Sequence, residues 1–217
     1  MADFTGFNPT QAKTDLEALS HDLRLVKGKL WSAFDYIVGQ TKDGLSDVWA
    51  SPNAKEFGAT YIPQIADLIN GYLKDIRAIL SSTARAVDIV GSSNGYVINL
   101  SGDYSAPALE EYYPQTFKEE KDGIVGMNVA VAKIAVSSFN EKIKDTLNTL
   151  DVIDLHTIAL YDPEGSMQEA FKTVLTTLKT NIEELVSSIN SAITSAYETE
   201  ENNIRVAKDS AASTMSA

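Results

Sequence analysis

Cysteine is absent from all 217 residues, which excludes disulfides, thiolate nucleophiles, Cys-zinc sites and iron–sulfur clusters. Histidine is nearly as scarce. His21 follows Glu17 by four residues, and His156 follows Asp154 by two. Neither zinc spacing nor the Glu-x-x-His pairs of carboxylate-bridged metal bundles occur, so the sequence predicts no metal site and no cofactor. Glycine loops that cradle phosphate, nucleophile elbows and Cys/His pairs are missing too. Acids adjacent in sequence, such as Glu110-Glu111 and Glu183-Glu184, diverge on a helix and read as solvated faces. The expectation is a protein with no catalytic residues and no small-molecule substrate, not an enzyme. Apolar runs are too short to cross a bilayer, and MADFTGFNPT carries no Sec-type signal pattern. Basic residues are outnumbered 18 to 30, for a net charge of −12. Phosphate binding needs a basic face, so nucleic acid is excluded as a partner and membrane binding is disfavoured.

What the chain does have is helical periodicity. From Pro9 to about Val48 apolar residues step by three and four: Leu16, Leu19, Leu23, Val26, Leu30, Phe34, Ile37. Asn8-Pro9 reads as an N-cap with proline at the first helical position, and a bend or fraying is expected near Gly39 to Gly44. After Trp49-Ala50, Ser51 as N-cap and Pro52 start a second helix, striped by Ala54, Phe57, Tyr61, Ile65, Leu68 and Tyr72 as far as Val87 and Val90. Pro63 lies inside it and should kink it or be absorbed by a local bend. Residues 92–125 are turn-forming, with a possible short strand around Tyr96, Val97, Ile98 and Leu100. The tyrosines there, Tyr104 included, are expected to pack over the helices. A further helix runs from about Gly126 to Leu160, turns at Tyr161-Asp162-Pro163-Glu164-Gly165, and returns with Phe171, Val174, Leu178, Ile182, Leu185, Ile189, Ile193 and Ala196. Beyond Tyr197 the sequence becomes polar and small, and fraying is expected.

Two stretches begin alike: GFNPTQAK from Gly6 and GMNVAVAK from Gly126. Leu16, Leu19, Leu23 and Leu30 fall opposite Val136, Phe139, Ile143 and Leu150, while Val26 against Thr146 breaks the register. A repeated helical unit reads as two fused subunits, in effect a covalent dimer. The predicted fold is all-α: two antiparallel helical hairpins packed as a four-helix bundle. Residues 1–91 form the first hairpin, 92–125 the linker, and 126–217 the second hairpin with its polar tail.

The turn Trp49-Ala50-Ser51, leading into the helix that opens PNAKEF, resembles the WXG family of helical hairpins exported by ESX-type (type VII) secretion systems. Ser51 stands where that family usually has glycine, and the second turn has no tryptophan. Tyr197 and Glu201 match the family's tyrosine followed four positions later by an acid, at the end of the last helix. The resemblance covers residues 8–91 well and 126–201 more loosely. It implies a non-enzymatic protein that is secreted without a Sec signal and cytoplasmic before export. The resemblance further implies a role as an exported virulence substrate or as the helper of a larger effector. The implied partners are the secretion-system ATPase and such an effector, and the implied composite signal comprises Trp49 and Ser51 with Tyr197 and Glu201. Two other readings stay open: an intracellular structural or adaptor bundle, and a pore-forming helical toxin.

Linker length adds a geometric expectation. A helix of about 38 residues is close to 57 Å long, and residues 92–125 can extend roughly 115 Å. Head-to-tail packing of the hairpins is therefore within reach. It would bring Trp49, as a partly exposed indole, beside Tyr197 and Glu201.

Overall fold

The computed structural model describes residues 9–39, 41–93, 95–97, 99, 112–153 and 166–215. Asn8, Tyr104, Ile98, Leu100, His156 and the turn Tyr161 to Gly165 lie outside the described residues. The chain is mostly helical, as an all-α reading requires.

Helix α1 spans Pro9–Val38 and buries Leu16, Leu19, Leu23, Val26, Leu30, Phe34 and Ile37. It ends where the sequence stops allowing side chains. A Cβ at Gly39 would overlap Asp35, and Asp43 then takes a left-handed φ of 63°. The expected weak point is thus a full break, followed by the single turn α2, Leu45–Val48.

Strand β1, Trp49–Ala50, follows, and then α3, Pro52–Ser93. Ser51 is the N-cap of α3: its Oγ accepts the Ala54 N–H at 3.1 Å and its carbonyl accepts Lys55 N–H at 3.0 Å. Pro63 sits within α3 without ending it. Pro63 and Ala59, whose carbonyl it leaves without a helical donor, are both exposed, so water can satisfy that carbonyl.

Strand β2, Gly126–Met127, pairs antiparallel with β1, Trp49 opposite Met127 and Ala50 opposite Gly126. No strand forms at Tyr96 and Val97; the extended pairing falls at 126–127 instead. Helix α4, Val129–Val152, is capped by Asn128, whose Oδ1 accepts Val131 N–H at 3.3 Å. Helix α5 runs Ser166–Met215. It continues through the tail expected to fray, although residues 201–215 are all exposed.

Helix starts Pro9 and Val129 are separated by the same 120 positions as the two sequence copies. Leu19, Leu23, Val26 and Leu30 are buried, and so are Phe139, Ile143, Thr146 and Leu150 opposite them. Thr146, the position that breaks the apolar register, is as fully buried as Val26. Threonine nearly matches valine in shape, so the core volume is preserved there at the cost of a hydroxyl that needs a partner.

Two compact units divide the chain. The first comprises Met1–Lys29, Ile69–Tyr112 and Asp145–Thr180. In it the buried Tyr72 hydroxyl donates to the Leu23 carbonyl at 3.1 Å, and burial raises its pKa far above the usual tyrosine value. Lys29 bridges Asp145 and Thr149 at 2.8 and 2.9 Å. The second comprises Leu30–Leu68, Tyr113–Lys144 and Asn181–Ala217, with Phe34 against Phe139 at 5.5 Å in its core. Each unit draws residues from both halves of the sequence.

Candidate partner-binding site

All four residues singled out from the sequence, Trp49, Ser51, Tyr197 and Glu201, belong to the second unit. The break after Val38 lets the chain reverse, and the β1–β2 pairing fixes Trp49 at the reversal. Asn128 N–H donates to the Val48 carbonyl at 2.9 Å and Ser51 N–H to the Lys118 carbonyl at 3.1 Å, so the turn is tied to residues from both ends of the 118–128 stretch. Within that stretch Asp122 and Gly123, at φ 54° and 74°, form a two-residue hairpin turn closed by paired Lys121–Ile124 bonds at 2.9 Å. Asp-Gly is the residue pair that such a turn favours.

The indole is only 2% exposed, which corrects the expectation of a partly exposed anchor. Phe57 and Phe117 cover it, with ring centroids at 5.3 and 5.7 Å. Phe117 comes from the segment read as linker, and it fits because Gly58 lacks a side chain. A Cβ at Gly58 would stand 3.0 Å from Phe117 Cβ and Cδ2.

The polar edge of the indole meets a residue that the sequence reading passed over. Trp49 Nε1–H donates to Ser51 Oγ at 3.1 Å and Glu200 Oε1 at 3.3 Å, and Ser51 Oγ–H donates to the same carboxylate oxygen at 2.8 Å. Glu200 is 5% exposed, and among the described residues no lysine or arginine forms an ion pair with it. A buried carboxylate is normally paired. Here it is held by two neutral donors, which makes it a latch between the Trp turn and α5. The signal for it was present. Ile182, Leu185, Ile189, Ile193 and Ala196 step by three and four, and Glu200 is the next position on that buried stripe.

Tyr197 and Glu201 flank this latch on α5. Tyr197 is half-buried; its hydroxyl is buried without a partner, and desolvation pushes its pKa up to about 12. Lys133 of α4 lies 5.5 Å from the Tyr197 ring centroid and 3.7 Å from Glu201 Oε1. Glu201 is exposed. The buried members, Trp49, Ser51 and Glu200, therefore fix the position of an accessible patch made of Tyr197, Lys133 and Glu201.

Beside the latch opens a cleft of ≈ 720 Å³, floored by Trp49, Met127 and Glu200. Asp47 lines it and is ion-paired to Lys121, which lowers the Asp47 pKa by hydrogen bonding. Among the described residues, no cluster of three His, Cys, Asp or Glu is placed to hold a metal ion. No described helix is long and apolar enough to cross a membrane. Comparison with protein-family models, with curated proteins and with solved structures finds no match to this chain.

Proposed function

We propose that this chain is a fused pair of WXG-type helical hairpins, exported by a type VII secretion system or escorting a larger effector to it. The reading rests on one observation. The Trp turn, from the first half of the sequence, is hydrogen-bonded to Glu200, on the helical stretch of the second half that holds Tyr197 and Glu201. The parts of a two-part signal are in contact through a residue dedicated to joining them.

An antiparallel bundle is the arrangement that fits the side-chain contacts of the second unit. Between α4 and α5, Lys133 meets Glu201 and Asn140 meets Asn190. Between α3 and its partner stretch of α5, Ser51 meets Glu200 and Tyr61 donates to the Ser188 carbonyl. In both pairs the partner number falls as the first number rises, as in antiparallel helices. The matched helix starts and matched buried positions of α1 and α4 support descent from one duplicated hairpin.

On this reading Tyr197 and Glu201 contact the secretion ATPase directly, while Trp49 and Ser51 act from beneath by positioning α5. The decisive experiment is secretion of the full chain from cells with a working or an inactivated secretion ATPase. Export should require the ATPase and should be lost in Tyr197→Ala and Glu201→Ala, with helicity of the purified variants unchanged. Normal secretion of Tyr197→Ala, or export without the ATPase, would defeat the proposal.

A further inference from the structure

We infer that the cleft beside the Trp turn is a docking groove for an amphipathic helix of a partner protein, one with large aliphatic side chains along one face and a lysine or arginine beside them. The inference does not depend on export. The groove has apolar walls that are open to solvent. Ile124 and Val125, on the extended segment entering β2, are 71% and 61% exposed, and Ile204 on α5 is 44% exposed. Three aliphatic side chains around one concavity leave apolar surface in water that a complementary face would remove.

The shape favours a helix as occupant. One wall is itself a helix, which gives Ile204 and Ala207 to the cleft; beyond the cleft its exposed apolar residues continue through Ala211 and Met215, stepping by three and four in line with the buried Ile193–Ala196–Glu200 stripe. That line runs about 16 Å along α5, three turns of a partner helix packed ridge into groove.

Charge decides what flanks the apolar face. The cleft is lined by three carboxylates, Asp47, Asp122 and Glu200, against one cation, Lys121, which is taken up by Asp47. Among the described residues Asp122 and Glu200 have no lysine or arginine partner in an ion pair. An approaching acidic helix would be repelled, and a basic side chain would find the exposed Asp122 carboxylate without a cation, with buried Glu200, held only by neutral donors, adding negative potential from the floor.

The test is titration of the full chain with a synthetic peptide of about 18 residues, leucines at helical spacing and lysines between them. A twin peptide with glutamate in place of lysine is the control. Ile204→Asp and Val125→Asp carry the argument, because both sites are exposed and each change makes the protein more acidic. The lysine peptide should bind at one site and the glutamate peptide should not. Each aspartate variant should weaken binding about tenfold or more, as loss of a central contact does, and Asp122→Asn should weaken it less. Three results would overturn the inference: no saturable binding, equal binding of both peptides, or binding to Ile204→Asp that is unchanged or tighter, the mark of bulk charge attraction alone. Circular dichroism of the variants, expected to match the parent, confirms that lost binding is lost contact.

Discussion

Helix α5 is two different objects on either side of Glu200. Up to that residue its stripe of Ile182, Leu185, Ile189, Ile193 and Ala196 is buried. Beyond it the spacing persists through Ile204, Ala207 and Ala211, yet residues 201–215 are exposed on every face. Periodicity is the same and burial is not. What changes at residue 200 is the cover: Glu200 is hydrogen-bonded to the Trp turn and buried, whereas beyond it Ile204 and Ala207 only line an open cleft. A helical stripe therefore predicts a face able to pack, and only a partner decides whether it does.

Paired truncations give the largest expected contrast. Ile193→Ala should cost about 2–5 kcal/mol, the usual loss for a buried large aliphatic. Ile204→Ala, the same chemistry about three turns later, should stay within roughly 0.5 kcal/mol. Urea unfolding of the two variants measures both. Equal costs would mean the tail packs on something in solution.

The latch itself comes next. Glu200→Ala leaves Ser51 Oγ–H without its acceptor and should destabilise by about 1–3 kcal/mol. Ser51→Ala removes the Ser51–Glu200 bond of the latch and the α3 N-cap, a loss of about 1 kcal/mol or more. The double variant should fall short of the sum by at least about 0.5 kcal/mol, because both single changes break one shared contact. Strict additivity in a double-mutant cycle would remove Glu200 from the role assigned to it.

Tyr197 offers a smaller effect with a defined pH sign. Its folded pKa is raised to about 12 from 10.0 by desolvation, so the folded state disfavours the phenolate. The stability this group contributes is fully present below pH 10 and is lost as pH rises toward 12. Tyr72 shifts in the same direction and adds its own loss. Tyr197→Phe should leave stability near neutral pH almost unchanged, since the hydroxyl has no partner to lose. It should also flatten part of the decline measured between pH 10 and 12. An unaltered decline would show that Tyr197 ionises as freely folded as unfolded.

Much of this was legible in the sequence, and the exceptions share a cause. Helical stripes, the Ser51 cap and the break near Gly39 are local, set by spacing and backbone chemistry within a few residues. Burial of Trp49 was not legible, because it depends on Phe117, some 68 positions away, reaching past the bare Cα of Gly58. Glu200 was half legible: its place on the stripe could be read, but the donors that make a buried carboxylate tolerable come from the other half of the sequence. Glu201, chosen by motif spacing, is exposed, and the neighbouring acid is the one in contact with the tryptophan.

Removing residues 203–215 should have the smallest effect on stability and the sharpest bearing on the comparison. Those thirteen residues make helical hydrogen bonds, but all are exposed. A segment of that length is marginal as an isolated helix in water, so it adds little beyond extending a helix already nucleated by its packed portion. Its local pairs, Arg205 with Asp209 at 3.5 Å and with Asn202 at 2.9 Å, lie in solvent and are each worth a few tenths of a kcal/mol. Loss of the segment should move the unfolding free energy by less than about 1 kcal/mol. Helical ellipticity should fall only in proportion to the residues removed. A large drop in stability, or one that depends on protein concentration, would show that the exposed stripe is already covered by a second copy of the chain. Little change leaves the stripe, with Ile204 at its base, as surface available to a different protein.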